Sequence, residues 1–371
     1  MLNKPTKIVV SAVNIRKGGT LTILRQCLGY LSGEAAAGRM EVIALVHDRR
    51  LCDFPGIRYI EMPDTVGSWG RRLRAEYRDM LAISRQLQPI DLWLSLHDAT
   101  PRVEARRQAV YCQTSFPFYR WQWRDWLMDW KIPVFAMMTR WVYRRGVHRN
   151  HWLIVQQQWL REGLSRMLGV PADRFIVAPP PRNIEKPAIE PRRFDRPTFF
   201  YASTPDCHKN FETLLRAAAL LESQLGADAF QVVLTVDGTE NRYARWLKKR
   251  WGGLKTVHFE GLMDRERLFA TYAGSDCFLF PSAVETWGLP ISEAMTYGKP
   301  MILSDLPYAR ETSAGSRQTA FFPCRDARAL ASLMAAFLRG DLSEFRPVAP
   351  TQTPEPVAPD WPSLFAQLLK T

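Results

Sequence analysis

The chain has 371 residues, long for one hydrophobic core and suited to two domains. Its 46% hydrophobic and 23% charged residues are ordinary globular composition, and 50 Lys and Arg against 37 Asp and Glu give a formal charge of +13. No apolar run approaches the ~20 residues that span a bilayer, and the six cysteines show neither C-x-x-C nor ligand-like spacing, which argues against a helical membrane protein, a disulfide framework and a zinc module.

The charge is uneven. Residues 1–175 hold 27 Lys and Arg against 15 Asp and Glu, or +12, whereas the remaining 196 hold 23 against 22, or +1. A basic first half fits an anionic surface such as a membrane, a lipid-linked phosphate or nucleic acid; the alternative is general solubility.

In chain order, the start is too short in apolar residues for a signal peptide and leads straight into a strand over Lys7–Val13. A loop over Asn14–Gly19 follows, then a helix from Thr20 to about Leu31, with Gly18 and Gly19 just ahead of it. Strands are expected at Glu41–Val46 and Arg58–Ile60, and a basic helix from about Ser68 to Leu87. The run DLWLSL, Asp91–Leu96, reads as a strand with His97 and Asp98 at its carboxyl end, where open parallel sheets gather ligands. These two residues are therefore placed either for contact with an acceptor or as a loop histidine capped by its neighbour. Gln108–Cys112 is the next strand.

From Phe116 to Val147 five tryptophans (Trp121, Trp123, Trp126, Trp130 and Trp141) are interleaved with Arg120, Arg124, Lys131, Arg140, Arg144 and Arg145. Aromatic and basic residues mixed on helical segments suit a bilayer interface. The alternative is a core-facing Trp stripe with a solvated basic back. Nucleic acid could use the same residue types, but no helix-turn-helix, RRM or zinc signature supports it.

After a strand at His151–Gln156 and a helix at Trp159–Leu168, six prolines between Pro179 and Pro197 read as a linker. Strands at Thr198–Ala202, Gln231–Val236, Thr256–Phe259, Asp276–Phe280, Met301–Ser304 and Ala320–Phe322 then alternate with helices, including Asn210–Leu225, Arg242–Trp251 and Arg265–Ala273. Such alternation means a parallel sheet covered on both faces. Lys209 falls near a helix start, where a cation opposes the dipole unless it has an anion to meet. Arg346–Pro362 reads as extended, and Trp361–Leu369 as a terminal helix.

The most informative stretch is FLFPSAVETWGLPISEAMTYGKPMILS, from Phe278 to Ser304. An apolar strand stops at Pro281, a loop holds Glu285, Gly288-Leu289-Pro290 opens a helix carrying Glu293, and Gly298-Lys299-Pro300 closes it. A helix start carries unpaired N–H groups and partial positive charge. The amides of Trp287, Gly288 and Leu289 would meet a phosphate, with Gly288 allowing close approach. Two carboxylates flanking that cradle suit a ligand with a hydroxyl-rich ring at each end of a diphosphate, a nucleotide sugar. On spacing alone, Glu285 as a solvated loop residue and Glu293 as a helix-start charge fit equally.

The context PS-x-x-E-T-x-G-L-P-x-x-E-A-M-x-x-G-x-P around Glu285 and Glu293 resembles the retaining GT-B glycosyltransferases of the family-4 type, strongly over about 30 residues and more weakly from Thr198 to Asp326. The resemblance implies an α/β fold of two Rossmann-like domains facing across a cleft. The first spans 1–180, a linker 181–197, the donor domain 198–345, and a segment 346–371 ends in a helix crossing back to the first domain. It implies a retaining hexosyltransferase, with Lys209 in His-Lys-Asn as the phosphate-binding lysine, Glu293 on the ribose and Glu285 on the transferred sugar. It further implies Leu262 and Met263, after Gly261, beside the nucleobase, and Gly18 and Gly19 over the donor phosphates or the acceptor. His97 is carried as a catalytic candidate. Ser203 and Thr204 stand where the family often has an arginine, and Ser203 is taken as donor-binding. Glu311 and Asp326 match outlying positions or are helix-start carboxylates.

No D-x-D follows a strand, so neither a metal nor a cofactor is expected, the nucleotide sugar being a substrate. The expected partners are a nucleotide sugar, a lipid-linked saccharide acceptor and an anionic membrane, but not nucleic acid. The setting is surface-polysaccharide assembly in the cytoplasm, peripheral to the inner membrane. The alternatives are a nucleotide-sugar epimerase of the same fold and a basic nucleic-acid-binding protein.

Overall fold

The computed structural model describes residues 4–66, 68–180 and 186–370. Its strands are β1 (Thr6–Ala12), β2 (Met40–Val46), β3 (Ile57–Glu61), β4 (Leu92–Ser95), β5 (Arg107–Tyr111), β6 (Trp152–Val155), β7 (Phe175–Val177), β8 (Thr198–Tyr201), β9 (Gln231–Leu234), β10 (Val257–Phe259), β11 (Cys277–Phe280), β12 (Met301–Ser304) and β13 (Thr319–Phe322). Its helices are α1 (Gly18–Ala36), α2 (Trp69–Arg74), α3 (Met80–Gln86), α4 (Trp123–Asp129), α5 (Lys131–Arg144), α6 (Gln158–Leu168), α7 (Phe211–Leu225), α8 (Arg242–Trp251), α9 (Arg265–Gly274), α10 (Leu289–Thr296), α11 (Pro307–Thr312), α12 (Ala327–Leu338) and α13 (Trp361–Leu369).

These elements form two units. Unit 1 comprises Met1–Thr114, Met138–Pro181 and Thr353–Thr371; unit 2 comprises Ser115–Met137 and Arg182–Gln352. Unit 1 holds a parallel sheet in the order β3-β2-β1-β4-β5-β6-β7, and unit 2 a parallel sheet in the order β10-β9-β8-β11-β12-β13. Both belong to the doubly wound α/β class, because parallel strands need helical crossovers that cover both faces. The inner strands of unit 2, β8, β11 and β12, are short and fully buried, as in Phe278-Leu279-Phe280. In unit 1, α13 seals the core. Leu364, Phe365 and Leu368 are buried with Leu24, Leu28 and Leu31 of α1, and Phe365 stacks on Tyr30 at 5.4 Å between centroids.

Several elements differ from expectation. Gly18 and Gly19 form the first turn of α1 rather than a loop ahead of it, with Gly18 at φ 71°. The single helix expected over Ser68–Leu87 is interrupted by a π turn at Ala75–Asp79, which carries the buried Glu76. The described part of the expected linker is hydrogen-bonded into unit 2: the Arg192 amide donates to Ala270 O and its guanidinium to Glu260 at 2.6 and 2.8 Å. Its first residues, 181–185, lie outside the described residues.

The first-domain range 1–180 likewise needs correction at Ser115–Met137, which packs on unit 2. Phe116 lies edge-on to His208, Arg124 pairs with Glu212 at 2.8 Å, and Arg325 donates to Arg120 O at 2.6 Å. No helix of the described residues is long and apolar enough to cross a membrane.

Candidate functional site

In unit 2 the chain runs from β8 outward to β9 and β10, then returns to β11 on the other side of β8. The order reverses between β8 and β11, and ligands of open α/β sheets bind outside the carboxyl ends of the strands at that switch point. The loop after β8 carries Lys209 and the loop after β11 carries Glu285. Their side chains meet, with Lys209 Nζ 2.5 Å from Glu285 Oε1, and both are mostly buried.

Local chemistry fixes this pair. Asn210 adopts a left-handed φ of 55°, which asparagine tolerates better than most residues. It starts α7 while its Nδ2 donates to Pro281 O at 2.9 Å. The buried Tyr201, last residue of β8, donates its hydroxyl to Lys209 O at 2.7 Å. Across the switch point, the Ala283 amide donates to His208 O at 2.7 Å. Ser282 Oγ lies 2.7 Å from Glu285 Oε1, and the buried Tyr308 hydroxyl donates to Ser282 O at 2.7 Å. Lys209 and Glu285 are therefore held by backbone contacts from both loops. Tyr201, Ser282 and Tyr308 were not anticipated; the first two carry the signal of a polar residue ending or following an apolar strand, which is common in buried strands without any site, and Tyr308 lies within α11.

Next in the chain, Gly288 takes φ 85° as the N-cap of α10, with Pro290 in the first turn. No side chain caps this helix, so nothing polar from a capping residue occupies its positive end. A Cβ on Gly288 would meet Ile291 Cδ1 at 3.3 Å and Phe280 Cε1 at 3.4 Å. Trp287 is buried, its Nε1 donating to Ser292 Oγ at 3.0 Å and its carbonyl accepting from Thr312 Oγ1, so its indole wedges the turn rather than facing a ligand. Glu293 lies one turn inside α10. Burial raises its pKa above the ordinary carboxylate value, against the opposing pull of the Tyr272 hydroxyl and Arg265.

The remaining candidates fall in different surroundings. The Ser203 backbone is clamped by Thr235 Oγ1, which accepts from its amide at 2.8 Å and donates to its carbonyl at 2.9 Å. Leu262 is 86% exposed after the left-handed Gly261, whereas Met263 is buried against Thr271. A flat apolar ligand can therefore meet Leu262, but not Met263 without rearrangement. Asp326 caps α12, accepting from Arg328 and Ala329 amides, which makes it a helix-start carboxylate. Glu311 lies near the end of α11.

In unit 1, β1 and β4 frame the equivalent reversal, with Gly18 and Gly19 after β1 and His97 after β4. Gly18 and Gly19 are exposed on an α1 N-terminus that lacks a side-chain cap. His97 needs correction as an acceptor contact. It is 3% exposed, its Nδ1 lies 3.4 Å from Glu76 Oε1, and burial, with Arg72 nearby, lowers its pKa to about 3. Asp98 is engaged as well. Its Oδ1 accepts from the Gln113 and Thr114 amides at 2.6 and 3.0 Å and from the Tyr143 hydroxyl at 2.6 Å. The strand end was legible; that both side chains turn inward was not. Among the described residues no group of three or more His, Cys, Asp and Glu side chains could hold a metal ion.

Residues 183–347 match the family model described as glycosyl transferases group 1. The chain is 30% identical over 124 residues to a phosphatidyl-myo-inositol mannosyltransferase of Mycobacterium leprae, covering 33% of this chain and 32% of that protein. It is 30% identical over 106 residues to the O-antigen chain mannosyltransferase B of Escherichia coli, covering 29% and 28%. The chain thus spans about a third of the length of the curated relatives it matches.

Solved structures match over nearly the whole chain. A sucrose-phosphate synthase from Thermosynechococcus elongatus gives a TM-score of 0.63 at 18% identity, covering 92% of both chains. WaaG, a glycosyltransferase involved in lipopolysaccharide biosynthesis, gives 0.62 at 16%, covering 91% and 93%. Anabaena HepE in complex with UDP gives 0.58 at 13%, covering 91% of both. At these identities the likeness is one of fold, which is that of the GT-B glycosyltransferases.

Proposed function

We propose that this chain, whose residues 183–347 match the family model described as glycosyl transferases group 1, transfers a hexosyl group from a nucleoside diphosphate sugar to an acceptor hydroxyl with retention of configuration. One observation carries the reading: Lys209 and Glu285 meet at the switch point of unit 2, and the uncapped start of α10 follows within the same loop.

In this reading the bond from the anomeric carbon to the diphosphate breaks, and the acceptor oxygen takes its place as its hydroxyl proton passes to the departing diphosphate oxygen. The diphosphate leaves with the electron pair and gains charge. Lys209 and the Gly288 and Leu289 amides meet that charge, an electrostatic task that preorganised donors perform without reorganising. Each charge-assisted hydrogen bond contributes about 1.5–3 kcal/mol. Without donor, Lys209 is neutralised by Glu285; with donor, the diphosphate takes over Lys209, and Glu285 turns to the sugar hydroxyls. Glu293 accepts from the ribose diol, Leu262 covers the base, and Ser203 lines the phosphate side. The acceptor is a lipid-linked saccharide of surface-polysaccharide assembly, at the cytoplasmic face of the inner membrane. The substrates in the names of the M. leprae and E. coli relatives support that class.

The test is a panel of nucleotide sugars scored by thermal stabilisation, followed by product analysis with and without saccharide acceptors. A ligand at a hundred times its dissociation constant adds about 2.7 kcal/mol to the folded state. The expected result is stabilisation by one donor and an acceptor-dependent glycoside. Conversion of the donor sugar without acceptor would assign an epimerase instead, and no response to any nucleotide sugar would remove the reading.

A further inference from the structure

Helix α4 is turned inside out. Trp123, Trp126, Leu127 and Trp130 stand at positions i, i+3, i+4 and i+7, the spacing of the stripe that an ordinary amphipathic helix buries. Here that stripe faces solvent, with exposures of 74%, 38%, 48% and 58%. The inward position is taken by a carboxylate instead. Asp125 is buried and accepts from the Tyr119 hydroxyl and the Gln122 amide, each at 2.8 Å. Arg124 reaches from the same helix to Glu212. Polar contacts thus hold α4 on unit 2 and leave its apolar face without cover, which in a water-soluble surface marks a contact site.

Beside it lies α8. Trp246 of α8 joins Trp123, Leu127 and Met128 in lining an open groove of about 600 Å³. Arg242, Lys249 and Arg250 stand one helical turn to either side of Trp246; all three are exposed, and α8 contains no acid. An aromatic face therefore adjoins a cationic one within the same unit.

We propose that α4 and α8 of unit 2 form a docking surface for an anionic lipid bilayer. The indoles seat at headgroup depth, where amphipathic rings partition, and the α8 cations meet lipid phosphates. A second copy of this chain is the poorer occupant, because a symmetric contact centred on α4 would bring the two acid-free α8 faces towards each other. The surface gives the proposed lipid-linked acceptor a route to the site, and only in that purpose does it rest on the enzyme reading. The segment leading into α4 touches the donor-site loop directly: Phe116 lies edge-on to His208, the neighbour of Lys209, at 5.1 Å.

The experiment is co-flotation of the full chain with vesicles of phosphatidylcholine, with and without phosphatidylglycerol, while tryptophan emission is recorded. Wild type floats with the anionic vesicles at low salt, its emission shifts to the blue, and added salt releases it. The Trp123→Ala/Trp130→Ala and Arg242→Gln/Lys249→Gln/Arg250→Gln variants each lose binding at least tenfold, given roughly fivefold in partition per cation near such a surface. These positions are exposed, and circular dichroism checks that the fold is kept. No flotation, binding that neither variant weakens, or a dimer that the tryptophan variant dissociates would each overturn the proposal. Thermal stabilisation by nucleotide sugars, measured on the same samples, separates failure of this surface from failure of the donor reading.

Discussion

Lys209 Nζ lies 2.5 Å from Glu285 Oε1, joining the loops after β8 and β11 at the carboxyl edge of the second sheet. The two side chains are largely shielded, so losing one partner strands the other's charge, whereas losing both does not. Lys209→Ala and Glu285→Gln are each expected to cut turnover at least tenfold, or about 1.4 kcal/mol of transition-state stabilisation. Their stability losses should not add: the double variant is expected to be more stable than the sum of the singles by roughly 1 kcal/mol. Urea unfolding and initial rates on the four proteins check this. Additive stability losses with near wild-type turnover would disconnect the pair from the chemistry.

Glu293 sets ligand binding against stability. Its pKa is raised by burial, so the folded state holds its proton to higher pH than the unfolded chain does. Stability from this group is present below its unfolded value and is lost as pH rises through the folded one. Above the unfolded-state value the buried carboxyl group is therefore a cost to the free protein. Glu293→Gln should raise the unfolding midpoint at pH 7 while shrinking the stabilisation given by a nucleotide sugar, since an amide is a weaker acceptor for a diol. A differential scan with and without ligand reads both. A variant less stable than wild type that keeps the full ligand response would contradict the assignment.

Gly288→Ala should damage both the fold and the cradle. A left-handed φ of 85° costs an L-residue about 1–2 kcal/mol, and the new Cβ would press on Ile291 and Phe280. Gly298→Ala is the control. It has a similar φ of 64° at the other end of α10, and open space where its Cβ would go. Gly288→Ala should lose at least as much stability as Gly298→Ala, and only Gly288→Ala should lose the nucleotide response. Equal responses in the two would mean that the start of α10 does not hold the phosphate.

Much of unit 2 was legible because its signals are local. Apolar runs bounded by Pro281 and Gly298 mark strand and helix ends, and Gly288-Leu289-Pro290 marks a helix start by backbone chemistry alone. What stayed hidden depends on contacts distant in sequence. His97 and Asp98 stand at a strand end whether they face a ligand or the interior. Only the packing of Glu76, Arg72 and Tyr143 decides that they face inward. In α4 the helical spacing of the tryptophans was visible in the sequence. Periodicity alone did not say which side of the helix faced the protein, and the partners of Asp125 and Arg124 settle it. The π turn that splits the basic helix left no proline or glycine as a marker.

Activity should survive a chelator. In the proposed reaction Lys209 and the first amides of α10 meet the charge of the leaving diphosphate, so no divalent ion has to. Rates measured with excess EDTA should stay within twofold of those with added magnesium. Abolition by EDTA and rescue by a divalent cation would show that these groups do not carry the charge by themselves.

His97 predicts a pH dependence of stability rather than of catalysis. Burial, aided by the Arg72 guanidinium, lowers its pKa to about 3 from an ordinary 6.5. Between those values the unfolded chain binds a proton that the folded chain does not. Its contribution is therefore complete above pH 6.5 and is lost as pH falls towards 3. At about 1.4 kcal/mol per unit, lowering the pH from 7 to 5 removes on the order of 2 kcal/mol through this residue. Glu76, facing it, acts in the opposite sense, because burial raises its pKa. Comparison with His97→Leu, which keeps Glu76 and Arg72, isolates the histidine. The urea midpoint of wild type should fall more steeply between pH 7 and pH 5 than that of the variant. Equal falls would mean that the imidazole is solvated or charged in the folded state, and would return it to the list of groups able to touch an acceptor.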